Sequence, residues 1–220
     1  MSLPLERHTE TLVLPRRLPT AVKLGYTAFM AVLVPVYWAN YGPSNFLYFC
    51  DVALFLTLVA VWTESALLAG MAAVGIVLPQ LIWVLDFAAG LFGVKLLGMT
   101  AYMFDERRSL FLRGLSLFHG WLPFLLLFLV KRLGYDKRAF PAWWALAWAL
   151  IAFCYFFMPG PMPNATTPVN INYVHGMSDD AAQSWMPPLA WLATLMAGLP
   201  ALLYWPTHLA LKKWFTRVEA

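Results

Sequence analysis

The chain has 220 residues, of which 61% are hydrophobic, 16% aromatic and only 12% charged, whereas soluble domains run at about 45–50% apolar and about 25% charged. A soluble domain is excluded. At about 20 apolar residues per crossing the length holds roughly six membrane helices, with no room for a large appended soluble enzyme. The net charge is +4, but the basic residues cluster at the ends of apolar runs, which reads as a topology signal and not as a nucleic-acid footprint.

Residues 1–20 mix acids, bases and prolines without a small-residue cleavage site and read as a tail, not a cleaved signal peptide. Spans one to three follow over 21–41, 45–63 and 66–88, joined by tight turns at Gly42-Pro43-Ser44-Asn45 and around Glu64. Pro79-Gln80 inside span three reads as a proline kink. Residues 89–106 are apolar but interrupted by Gly90, Gly93, Gly98 and Lys95, the pattern of an interfacial or re-entrant segment. Spans four (109–130), five (141–158) and six (188–211) complete the chain, with the longest polar stretch, 159–187, between the last two. The predicted fold is all-α and polytopic: one membrane domain over 1–220, with six transmembrane helices and one interfacial segment.

Six crossings put both termini on one side. That side collects Arg7, Arg16, Arg17, Lys23, Lys131, Arg132, Lys137, Arg138, Lys212, Lys213 and Arg217, against Lys95, Arg107, Arg108 and Arg113 on the other. Because Lys and Arg are retained in the cytoplasm, both termini are expected there and the 159–187 loop outside.

Ionisable groups are costly in hydrocarbon, so those inside spans are the first candidates for a site. They are few: Cys50 and Asp51 open span two, Asp86 closes span three, and Arg113 and His119 lie in span four. All five point to one outward-opening cavity, and Cys50, Thr57 and Glu64 form a heptad seam on span two that would line it. His119 serves as a general base or as an interhelical hydrogen-bonding group. A thiol near a helix start and a base is a candidate nucleophile, whereas a cysteine without such neighbours packs as a small hydrophobe, as Cys154 does among aromatic residues. Asp51 and Asp86 are the expected ion-pair partners of Arg113. The loop run 169–176, with Asn172, Tyr173 and His175, carries hydrogen-bonding groups that would cap the cavity or satisfy one another. Neither a disulfide framework nor a metal-ligand spacing is present, and no cofactor is implied.

Span two begins Asn45-Phe46-Leu47-Tyr48-Phe49-Cys50-Asp51, a later helix carries a central histidine in 115–127, and Asn170-Ile171-Asn172-Tyr173-Val174 precedes a proline-rich helix entry. Together these resemble a superfamily of six-helix membrane lipid enzymes that includes androgen-induced hydrolases of fatty acid esters, a cysteine-type phospholipid acyltransferase and bacterial membrane-associated proteins. The resemblance implies Cys50 as nucleophile and His119 as base, with Asn172 and Tyr173 matching a loop motif, a lipid or amphipathic ligand, and a bacterial cytoplasmic membrane; Asp51 or Asp86 would then orient the histidine or balance Arg113. Tyr48 stands where cysteine-type members carry a histidine. Read from the residues alone, a non-enzymatic lipid-binding or proton-coupled transport protein remains open beside the acyl hydrolase or acyltransferase.

The charge asymmetry generates a test of orientation. A cysteine introduced at Ser178 should react with an impermeant thiol reagent applied from outside intact cells; labelling only from the cytoplasmic side contradicts the assignment.

Overall fold

A computed structural model describes residues 18–215, which are all-helical, without strands. Residues 1–17 of the expected 1–20 tail, with Arg7, Arg16 and Arg17, and also Arg217, lie outside the described residues. The elements are α1 (Thr20–Tyr41), α2 (Phe49–Thr63), α3 (Ala66–Leu91), α4 (Leu110–Ser116), α5 (Phe118–Leu133), α6 (Ala139–Phe157), α7 (Pro188–Leu199) and α8 (Trp205–Phe215). Five helical stretches are long and apolar enough to cross a membrane: α1, α3, α4 with α5, α6, and α7 with α8. Large apolar side chains such as Leu24, Leu85, Phe124, Phe156 and Leu202 are exposed around the bundle, which suits contact with acyl chains.

Three spans depart from the expected continuous helices, each for a local reason. Span two is a helix of 15 residues, about 22 Å at 1.5 Å per residue, because the chain from Pro43 to Leu47 winds as a 3-10 turn first. Span four is two helices. The ladder breaks at Leu117, whose N–H bonds to Gly114, while Gly120 bonds back to Leu117, so α5 restarts one residue before His119. Span six carries a π-helical segment over Pro200–Tyr204, where Trp205 N–H reaches the carbonyl of Pro200. Pro206 supplies no N–H to the ladder, and the wider turn accommodates that loss. Span three, by contrast, stays one helix through Pro79.

The turns between α2 and α3 and between α5 and α6 lie at the same end as the described termini. Leu18 N–H and Lys23 Nζ both bond to Glu64, and Tyr135 N–H bonds to the carbonyl of Phe215. The opposite end gathers 42–48, 92–109 and 158–187, tied by bonds such as Tyr48 hydroxyl to Val169 carbonyl and Arg108 Nη1 to Tyr41 hydroxyl. Residues 92–109 hold only one 3-10 turn, Ala101–Met103, and expose Phe92, Val94, Leu96 and Leu97.

The core is organised on α3, which packs against α2, α5, α6 and α8. Its buried run Ala69, Gly70, Met71, Ala72, Ala73, Val74, Gly75 is mostly small, so neighbouring backbones approach closely without a hydrophobic driving force between helices. A Cβ at Gly70 would lie 2.8 Å from that of Ala139, and one at Gly75 would enter the indole of Trp143, itself fully buried. Gly75→Ala should therefore lower the melting temperature in detergent, an overpacking cost of about 1–3 kcal/mol. Gly25→Ala, with nothing within 4 Å of the added carbon, should hold or raise it, since alanine favours a helix by about 0.5–1 kcal/mol. Equal losses at both positions would contradict this packing account.

Candidate functional site

The start of α2 is set by a residue far away in sequence. Asn172 accepts a bond from Phe49 N–H through Oδ1 (3.0 Å) and donates through Nδ2 to the Leu47 carbonyl (2.9 Å), so the 159–187 loop supplies the N-terminal cap that Tyr48 does not. Asn170, Asn172 and Tyr173 all hold positive φ, a conformation that asparagine tolerates and that turns this amide inward. Ile171 and Val174 are buried with Ile151, Cys154 and Leu192 in a second apolar cluster. The loop is thus packed into the bundle over the short helix.

With α2 fixed, its first turn presents Cys50 and Asp51. Cys50 Sγ donates to Asp51 Oδ2 (3.6 Å), and Asn45 Nδ2 donates to the same oxygen (3.4 Å). Asp51 is 3% exposed, and its Oδ1 has no hydrogen-bond partner among the described residues.

His119 occupies the first turn of α5, and the break at Leu117 equips it. Ser116 carbonyl, left without a helical N–H, accepts from His119 Nδ1 at 2.8 Å. A carbonyl only accepts, so the proton sits on Nδ1 and the lone pair on Nε2. The ring stacks between Phe118 (4.0 Å) and Trp83 (4.8 Å), and Ser116 hydroxyl bonds to Tyr37 hydroxyl (2.9 Å). The tautomer and the ring plane are both held.

Cys50, Asp51, His119, Asn172 and Tyr173 all line one cavity of about 910 Å³. Exposed Arg107, Thr166 and Asp180 lie at its loop end, and buried Gly75, Ile76 and Tyr204 at its inner end. Of the expected heptad seam Cys50 lines this space and the other two residues do not: Thr57 is buried in the core, bonding the Ala53 carbonyl, and Glu64 binds Lys23 and Leu18 at the far end.

The ion pair expected of Arg113 with Asp86 or Asp51 does not form. Asp86 accepts from the N–H groups of Leu97, Gly98 and Thr100 and from Thr100 hydroxyl at 2.7–3.1 Å, while Arg113 Nη1 donates to the Met103 carbonyl. Unpaired backbone donors in the 92–109 segment satisfy the buried carboxylate more fully than one guanidinium would. Neither residue lines the cavity, nor does His175, whose ring stacks on Tyr155 at 4.9 Å. Partial burial pushes the His175 imidazole below its ordinary range and keeps it neutral near pH 7. Among the described residues no three His, Cys, Asp or Glu side chains gather to hold a metal ion.

Sequence reasoning missed Asn45, Tyr37 and Ser116, whose roles arise only from tertiary contacts. Gln80, taken as part of a kink, lines the cavity instead; a lone carboxamide inside a 26-residue apolar helix was its signal.

Comparison with protein-family models, with curated proteins and with solved structures gives no match.

Asp86 generates a test. Asp86→Ala should speed amide exchange at Leu97, Gly98 and Thr100, because three bonds to one carboxylate are lost together, while Arg113→Ala should leave those amides protected. Protection unchanged in Asp86→Ala would contradict the clamp.

Proposed function

We propose that the cavity receives the acyl-ester region of an amphipathic lipid and that Cys50 and His119 transfer or hydrolyse its acyl group. One observation carries this reading: nucleophile candidate and base candidate line the same space of about 910 Å³, a size in the range that takes lipid-like ligands. Its exposed polar end suits a headgroup, and Ile76, Leu199 and Leu203 suit an acyl tail. The resemblance in the Cys50-Asp51, His119 and Asn172-Tyr173 motifs points the same way. The excess of basic residues toward the termini supports an outward-facing cavity in a bacterial cytoplasmic membrane.

In the reaction, Cys50 Sγ bonds to the ester carbonyl carbon as its proton passes to His119 Nε2. Collapse of the tetrahedral species breaks the acyl C–O bond, and the imidazolium returns the proton to the leaving alkoxide. Water or an acceptor hydroxyl then attacks the thioester, giving up its proton to Nε2, and the departing thiolate recovers it. Asp51, bonded to the thiol and to Asn45, orients Sγ.

A second reading, a lipid-binding or transport protein without covalent chemistry, is favoured by the thiol resting on Asp51 and not on the imidazole. Turnover of a monoacylglycerol ester by purified variants separates the two. Cys50→Ala and His119→Ala should each cut turnover by at least about 100-fold with unchanged melting curves, and jointly by no more than either alone. Full turnover in Cys50→Ala would eliminate the covalent step.

A further inference from the structure

Gln80 is 2% exposed, lines the cavity, and has no hydrogen-bond partner for Nε2 or Oε1 among the described residues. A buried carboxamide left unpaired is costly. Polar residues inside spans ordinarily bond across helices, and Asn172 shows that this fold does so where an amide is structural. Gln80 does not. It lies three residues before Trp83, the residue on which His119 of α5 stacks, so the amide sits on the stretch of α3 that the imidazole packs against. Pro79 beside it withholds the N–H that the Gly75 carbonyl would otherwise accept, and Gly75 also lines the cavity.

We propose that Gln80 binds the ligand's ester carbonyl, with Nε2 donating to the carbonyl oxygen and Oε1 accepting from a hydroxyl of the alcohol part. This deepens the acyl-ester reading above and rests on it. The substrate class is an acyl ester that keeps a free hydroxyl near the ester bond, since such a group meets both halves of the amide. When Cys50 attacks, the same N–H faces the oxygen that gains negative charge, so the bond strengthens as the tetrahedral species forms. Asp51 also lines the cavity and has an unpartnered Oδ1.

The experiment is equilibrium binding of 1-monooleoylglycerol and of the matched 1-O-oleyl glycerol ether, which lacks only the carbonyl, to the purified Cys50→Ala protein, which leaves the ester intact. This protein should bind the ester about ten-fold more tightly than the ether. Gln80→Leu and Gln80→Met, placed separately on that background, should abolish the ten-fold ester preference, weakening the ester by about ten-fold more than the ether, which loses only the hydroxyl bond to Oε1. An ester preference that survives both substitutions overturns the assignment of Gln80 while leaving the acyl-ester reading standing. Equal losses for both probes in both variants overturn it too, as the mark of a packing role. Binding of neither probe by the Cys50→Ala protein removes the acyl-ester reading, and the Gln80 proposal with it.

Discussion

The close approach of helices to the small-residue face of α3 is the constraint on which the remaining structure depends. Between lipid-exposed helices there is no hydrophobic gain from association, so packing must come from contact itself, and contact is closest where side chains are smallest. Gly75 lets the Trp143 indole lie against the α3 backbone. That indole then meets Phe49 at the start of α2 and Tyr204 in the π-helical segment, both of which line the cavity. The wall of the site is built outward from a missing side chain.

The second organising force is the need to satisfy polar groups in a low-dielectric medium. Each interruption in the helices frees backbone groups, and each set is claimed by a neighbouring side chain. The start of α2 is capped by Asn172, the break before α5 is used by His119, and the amides after α3 are collected by Asp86. Two of these three arrangements orient a cavity residue. Irregular backbone at this end of the bundle is what allows short helices to deliver polar side chains to a common space while apolar surfaces face outward. Asp51 Oδ1, the Gln80 amide, Trp83 Nε1 and the Tyr204 hydroxyl belong to cavity-lining residues and are left without a partner among the described residues.

Much of the architecture was legible from hydropathy. The all-α class and the long apolar helices follow from run length and the position of charges. Interruptions inside apolar runs were not legible, because Leu117 carries no breaker and the π segment lies among residues of ordinary helix propensity besides its prolines. Rarity of ionisable groups found Cys50, Asp51 and His119 as cavity residues. It misassigned Asp86 and Arg113, since a sequence displays opposite charges but conceals the backbone N–H and carbonyl groups that compete for them. Gln80 escaped a charge-based search because it is neutral, and Asn172 was found by its motif without its role as a remote helix cap.

The central claim is that an acyl chain enters the cavity beside Cys50 and does not merely coat the bundle. Photocrosslinking with an acyl glycerol carrying a diazirine along its chain, followed by peptide mapping, tests it most directly. The account predicts adducts on Ile76, Leu199 and Leu203, which line the cavity, competed away by excess unlabelled monoacylglycerol. Adducts confined to outward residues such as Phe124, Leu189 and Leu202, and insensitive to competitor, would contradict it.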